Sequence, residues 1–326
     1  MNNITDEETY RSSLHEYCLT VFKGTLIIPT VFGNILLLLS LFTHKTLRTR
    51  SNVLIGSLAV SDLLIGAIVL PYDVLNMIFV NLKDEKIPCL LQYTCFVTFV
   101  GASVTNLFII CLERYSAIMS PLKHFIKASK TRIFISITTG WTIAIILGLL
   151  PLLGWNIWTA GIMCKSKLIF TKGYLDLVLT FYTILIIIST ILYSLVARKI
   201  LKHLKLYKNG RVNHTSNACV NKNLNSSIYR NLKQTKIMIF ILGLFAICWA
   251  PFTVLFILRV YFLEESNLVN LLKTYFTTFG LLNCALNWMI FGLMNNSTRK
   301  ALNNILFCQY DEKITVRTIS STTTTC

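Results

Sequence analysis

The sequence predicts an all-α membrane protein, a seven-transmembrane helix bundle with a short interfacial eighth helix. Three observations predict it. Apolar stretches at 19–43, 51–77, 89–119, 133–154, 173–200, 234–262 and 268–293 each match the roughly 20 residues a helix needs to cross the hydrocarbon. The 326 residues are 54% hydrophobic and 14% charged, whereas soluble domains run nearer about 45–50% and about 25%. Basic residues also concentrate on one side. An odd number of spans puts the chain ends on opposite faces. Nine of the 31 Lys and Arg then share the N-terminal side, and the other 22 lie opposite. The positive-inside bias places the N-terminus outside. The stretches are too long for the alternating strands of a membrane barrel.

Residues 1–18 form a polar segment, expected to be extracellular, with Asp6, Glu7, Glu8 and Glu16. No basic start leads into a short apolar core, so no cleaved signal is expected and the first span serves as the targeting signal. Asn3-Ile4-Thr5 is a glycosylation sequon on the outer side. The bundle occupies 19–294. Lys45, Arg48 and Arg50 fill its first inner loop, and Lys123, Lys127, Lys130 and Arg132 its second. The third, about 203–231, is rich in Asn, Lys and Ser, and disorder is expected there. Residues 295–308 carry Leu302, Ile305 and Leu306 at helical spacing beside Arg299 and Lys300, which reads as an amphipathic interfacial helix. Cys308 ends it at membrane height, a candidate for palmitoylation, simple burial of the thiol being the alternative. The tail, 309–326, is dense in Ser and Thr and suits kinase phosphorylation.

Charged and amide groups at bilayer depth are costly, and each is a functional candidate. Asn34, Asp62 and Ser103 lie within spans one, two and three. Asn283 and Asn287 sit four apart, on one face of span seven. With hydroxyl and amide partners Asp62 holds a small cation; alternatively the same residues form a hydrated knot that locks helices together. Pro251 interrupts span six two residues after Trp249. Proline removes a helix hydrogen bond and makes a pivot. Glu113-Arg114-Tyr115 closes span three, at the expected water boundary. Cys89 opens span three and Cys164 lies in the outer loop after span four, both in an oxidising compartment where a bridge is plausible, two unrelated free thiols being the alternative.

Several classes are disfavoured. The net charge of +17 follows the inner loops, with no aromatic-interleaved nucleic-acid motif, so its expected partners are anionic lipid and acidic protein surfaces. His15, His44, His124, His203 and His214 lie outside or at the rim of the spans, and neither His-x-x-x-His nor Gly-x-Ser-x-Gly occurs. An intramembrane enzyme would need such ligands or a nucleophile with its base. Span seven lacks a charged pathway and no inverted repeat is visible, which disfavours a transporter.

Taken together, Gly33-Asn34, Leu58 through Leu63, Cys89, Glu113-Arg114-Tyr115, Pro121-Leu122, Trp141, Pro151, Tyr193 and Cys248-Trp249-Ala250-Pro251 resemble the rhodopsin-like (class A) G-protein-coupled receptors over about residues 19–308. The resemblance implies a plasma-membrane receptor that passes an extracellular ligand signal to heterotrimeric G proteins, with arrestin and receptor kinases as further partners. It implies that Arg114 is a switch released when span six swings out, with Glu113 as its resting counter-charge. It maps a sodium pocket onto Asp62, Ser103, Trp249, Asn283 and Asn287, and an outer-loop disulfide onto Cys89 and Cys164. Departures are plain. Asn287-Trp288-Met289-Ile290-Phe291 replaces Asn-Pro-x-x-Tyr, so the proline is missing and Phe291 offers no hydroxyl toward Tyr193. Leu185 stands where span five usually has proline. Asn231 and Lys233, at the inner end of span six, provide no acidic partner for Arg114. A weaker resting lock and raised basal signalling are expected.

For the ligand, Phe96 stands where amine receptors place an aspartate, and Leu281 stands where opsins place the retinal lysine. Leu150–Asn156 and Gly243–Trp249 are similar to adenosine receptors, and the first also to lysophospholipid receptors. The adenosine-binding amide is replaced by Phe256, however, and the loop pair by Ser166-Lys167. The expected pocket lining is Phe96, Phe252, Phe256 and Thr277, with Lys165, Lys167 and Arg259 at its mouth. Such a cavity suits an apolar or anionic ligand, with a peptide as a further option.

Overall fold

The computed structural model describes the chain apart from residues 1, 45–46, 48, 79–84, 121–128, 163, 209–217, 264–265 and 308–326; for 2–13, 77–78, 203–208, 218–236 and 238 it describes the backbone alone. The expected modification at Cys308, the tail 309–326 and the side chain of Asn3 fall outside the described residues, as do Pro121-Leu122 and the side chains of Asn231 and Lys233.

Seven helices are long and apolar enough to cross a membrane: Leu14–Thr43, Arg50–Asn76, Lys86–Met119, Lys130–Leu149, Lys172–Lys202, Ile239–Tyr261 and Asn267–Met294. They are spans one to seven below. Span one belongs to a helix that starts at Asn2, so helical backbone continues through the polar N-terminal segment. Spans five and six lie within the longer helices Lys172–Lys208 and Ala218–Tyr261. Side-chain caps fix several starts: Thr49, Ser129 and Ser266 accept from the N–H groups of Asn52, Thr131 and Val269.

Two spans depart from the sequence expectation. Span four stops at Leu149, not 154. Residues 150–154 are hydrogen-bonded turns around Pro151, closed by Gly154 at φ 114°. That left-handed conformation ends the helix, and glycine adopts it without a steric penalty. Span two contains a π-helical turn, Ile65–Val69, where the N–H of Leu70 reaches back to Ile65 O. It lies just before Pro71, whose missing N–H disrupts the regular ladder.

Span three packs against spans two, four, five and six, while span seven packs against one and six. Exposed Ile28, Phe134, Ile187 and Ile247 cover outward faces, which suits lipid contact. Between such helices, lipid tails remove the usual hydrophobic drive, and close packing and polar contacts hold the bundle. Gly33 of span one shows this closeness, because the Trp288 indole of span seven fills the space a Cβ would need. At the N-terminal face Cys89 and Cys164 form a disulfide with Cα atoms 5.8 Å apart. A second apolar cluster, including Ile169, Phe170 and Tyr174, packs around it.

The short helix Asn296–Leu306 follows span seven, capped by Asn295, whose Oδ1 accepts from Ser297 N at 3.1 Å. Ala301 and Leu302 are buried, whereas Arg299, Lys300 and Leu306 are exposed. Leu302 reaches Gly292 of span seven.

Candidate functional site

Three polar or concave regions lie along the bundle. The first is a cavity of about 770 Å³ at the N-terminal face. Phe96, Phe252, Phe256 and Thr277 all line it, as does Trp249. Their rings form a continuous aromatic wall. Phe252 and Phe256 stack at 5.7 Å, Trp249 meets Phe252 edge-on at 5.6 Å, and Phe96 lies 6.4 Å from both Trp249 and Phe252.

The polar part of this cavity differs from the sequence expectation. Lys165 lines it. Lys167 instead donates to Leu263 O at 3.1 Å, and Arg259 is buried and donates to Asn270 Oδ1 at 3.3 Å. Sequence reasoning missed Lys23 and Asp73, whose Nζ and Oδ2 are 2.8 Å apart in the cavity wall. Gln92 donates to the other Asp73 oxygen at 2.9 Å. The available signal was a lysine in span one and an aspartate in span two, both unusual at membrane depth. Asn76 was missed as well. It lines the cavity at 2% exposure, and among the described residues neither its amide nitrogen nor its oxygen has a hydrogen-bond partner.

The second region is the buried centre. Asn287 Nδ2 donates to Asp62 Oδ2 at 2.8 Å, and Ser103 Oγ to Asp62 Oδ1 at 3.3 Å. Asn34 Nδ2 donates to Thr30 O at 2.8 Å and to Cys284 O at 3.3 Å, tying span one to span seven. Oδ1 of Asn34, of Asn283 and of Asn287 is buried without a hydrogen-bond partner among the described residues. Trp249 lies against Gly280 of span seven. Nearby, Ser57 Oγ donates to Asn106 Oδ1 at 2.7 Å and receives Trp141 Nε1 at 3.0 Å, linking spans two, three and four.

The third region lies at the opposite face. Arg114 is buried, its Nε 3.2 Å from Glu113 Oε2. Ser51 Oγ donates to Glu113 Oε1 at 3.3 Å. Tyr115 is only half-buried. Arg114 and Tyr193 border a small gap closed by Ile241 and Leu242 of span six. The Tyr193 hydroxyl is buried without a hydrogen-bond partner among the described residues, and Phe291 is packed in the core. Lys199 of span five donates to Ile118 O at 2.8 Å and Met119 O at 3.3 Å, the last carbonyls of span three. Sequence analysis did not single out this lysine.

Span six joins the first and third regions. Pro251 lies inside its helix, so Ile247 O loses the backbone donor four residues on. Thr253 Oγ1 bonds Trp249 O at 2.9 Å within the same turn.

The family description "7 transmembrane receptor (rhodopsin family)" matches residues 33–291. The Homo sapiens histamine H2 receptor is 30% identical over 302 residues, spanning 89% of this chain and 80% of that protein. A probable G-protein coupled receptor, No18, of Amphibalanus amphitrite is 23% identical over 339 residues, 89% of each chain. An octopamine receptor of Heliothis virescens is 38% identical over 141 residues, 43% of this chain and 30% of its own length. These relatives are receptors rather than enzymes. The family match covers most of the chain, running from within span one to within span seven, and the chain belongs to the rhodopsin family of seven-transmembrane receptors.

Proposed function

We propose that this receptor lies in the plasma membrane with its N-terminus extracellular and passes ligand binding at its N-terminal face to heterotrimeric G proteins at the opposite face. One observation carries the reading. The helix bearing Trp249 and Pro251 lines the cavity through Phe252 and Phe256 and closes the gap beside Arg114 through Ile241 and Leu242. A ligand pressing on Trp249 therefore acts on the element that covers the arginine, with Pro251 as the pivot between them. Arg114, Glu113, Tyr115 and Tyr193 form the transducer-facing end. Arrestin and receptor kinases would meet the same face and the Ser/Thr-rich tail. Asn3 is offered as a glycosylation site and Cys308 as a palmitoylation site on the same topology.

The centre fits a sodium ion. The Asp62 carboxylate, the Ser103 hydroxyl and the partnerless oxygens of Asn283 and Asn287 are hard donors, which suit such a cation. Bound there, it would neutralise Asp62 and favour the resting arrangement.

The relatives named for histamine and octopamine suggest an amine ligand. Against that, Phe96 supplies no counter-charge, and both oxygens of Asp73 are already engaged by Lys23 and Gln92. The adenosine-like and lysophospholipid-like stretches of sequence suggest a second reading, while Phe256 and Ser166 give the cavity a different chemistry. The first reading is an apolar-bodied ligand held by the aromatic wall.

The test is nucleotide exchange on purified G proteins of several classes with the reconstituted receptor, with ion flux as the control. Exchange without ligand, above that of Arg114→Ala, is expected because the resting lock lacks an acidic partner on span six. Equal basal exchange in the two would remove the raised-activity reading. Ion flux without exchange would remove the receptor reading as a whole.

A further inference from the structure

We propose that Asn76 is the polar anchor of the ligand site, and that it selects a neutral head bearing a donor beside an acceptor, a cis-amide edge such as a carboxamide or a heterocyclic lactam. The proposal rests on the reading of the cavity as the ligand site, and it names the chemistry that site prefers.

Asn76 is 2% exposed and lines the cavity, yet its amide nitrogen and oxygen are both without partners among the described residues. Buried amides are normally satisfied, and an orphan pair requires an explanation. The neighbouring polar groups do not supply one. Asp73, one helical turn away, directs one oxygen to Lys23 at 2.8 Å and the other to Gln92 at 2.9 Å. The acid, the ammonium and the neighbouring amide are thus committed to one another, while Asn76 next to them is not.

Head groups then sort by what they leave unpaired. An ammonium has donors only, so it meets Asn76 Oδ1 and leaves Nδ2 bare. A carboxylate has acceptors only, and leaves Oδ1 bare. A cis-amide edge has one of each and pairs with both atoms, as asparagine does with the donor–acceptor edge of a base. The Lys23–Asp73 pair reinforces this choice, because it compensates its own charge and offers a dipole rather than a net charge. Sites built to hydrogen-bond a group discriminate strongly against analogues that leave their buried atoms unpaired. The aromatic wall of the same cavity receives the ligand's apolar body.

The experiment titrates three probes of one skeleton, 3-phenylpropanamide, 3-phenylpropan-1-amine and 3-phenylpropanoate, against the full-length receptor in nanodiscs, by saturation-transfer NMR. The amide is expected to bind about tenfold tighter than either charged probe. Asn76→Leu, near-isosteric and unable to hydrogen-bond, should erase that preference, bringing the amide down to the level of the charged probes. Asn76→Asp should move the preference to the amine. Thermal unfolding of each variant checks folding, and if Asn76→Leu does not fold, the shift in Asn76→Asp decides. A preference that survives both substitutions, or amide binding no tighter than the others in the unmodified receptor, overturns the anchor. Loss of all probe binding in Thr277→Trp, which fills the cavity, would in that case still uphold the cavity as the ligand site. Equal binding of the probes to Thr277→Trp, or no binding of any probe to the unmodified receptor, overturns both.

Discussion

Replacing Gly33 with alanine tests how spans one and seven fit. The added methyl falls inside the Trp288 indole, a rigid ring that cannot flex aside as an aliphatic tip would. Overpacking of this kind costs about 1–3 kcal/mol. At about 2 °C per kcal/mol for a chain of this size, the unfolding midpoint should fall by about 2–6 °C. Trp288→Ala alone should also destabilise. The ring is only half-buried, so its loss belongs at or below the ~3 kcal/mol lower end for large aromatics. In the double variant the new methyl at 33 enters space the indole has left. The cost of Gly33→Ala should therefore vanish in the Trp288→Ala background, a coupling of about 1–3 kcal/mol. The assay is thermal unfolding of the purified receptor in detergent, read by a thiol-reactive fluorophore. Cys111, Cys248 and Cys284 are buried and become reactive as the bundle opens, with Cys18, Cys95, Cys219, Cys308 and Cys326 changed to serine throughout. If the two single costs simply add within ~0.5 kcal/mol, the two positions are not in contact and the reasoning fails.

Asp73→Asn should destabilise by about 3–5 kcal/mol, because it leaves the Lys23 ammonium charged in a largely buried site; Lys23→Met with Asp73→Leu should cost clearly less, and equal midpoints for the two would count against the pairing. Cys164→Ser opens a loop of 75 residues between the paired cysteines, worth roughly 4–5 kcal/mol in the chain-entropy account, and the unfolding midpoint should drop to that of the receptor treated with reductant. Lys199→Met removes a charged donor from the last carbonyls of span three; with the side chain partly solvated, about 1 kcal/mol of restraint is lost. Agonist-free nucleotide exchange should then rise about fivefold, Lys199→Arg should remain near the unmodified rate, and an unchanged rate in Lys199→Met would show the tether to be idle.

The helix count was legible because lipid imposes a simple requirement, a long apolar run with its backbone bonds closed internally. The ends of the runs were less so. Hydropathy counts Leu150, Pro151, Leu152 and Leu153 as span four, whereas proline and the left-handed Gly154 turn the chain out after Leu149. Within the cavity, the aromatic residues were readable because ring size and span position are local properties. The Lys23–Asp73–Gln92 cluster was not, because it joins three spans through partners as many as 50 residues apart in sequence. Arg259 illustrates the reverse error. As a charge at a span end it reads as a mouth residue, yet it turns inward to Asn270 and is buried. The Asn76 amide carries no sequence signal beyond being polar at the end of an apolar run.

The departures in span seven become coherent when taken with their neighbours. A proline at 288 would lack the N–H that closes a bond to Cys284 O, and that carbonyl would be left to other donors. With Trp288 the helix runs unbroken from Asn267 to Met294, so Cys284 O can accept from its own helix as well as from Asn34. The indole then replaces the bend as the feature that sets the spacing to span one, which is why a glycine is required at 33. Farther along, Phe291 is packed in the core and offers no hydroxyl, while the Tyr193 hydroxyl waits beside Arg114 without a partner. The available partner for that hydroxyl on opening is therefore Arg114 itself, and movement of span six rather than bending of span seven is left to expose it. Tyr193→Phe should accordingly lower agonist-free exchange while leaving the unfolding midpoint nearly unchanged, since the resting hydroxyl makes no bond to lose. A Phe291→Tyr variant that raised exchange severalfold in the unmodified background, yet had no effect in Tyr193→Phe, would show that the lost pair still limits the switch.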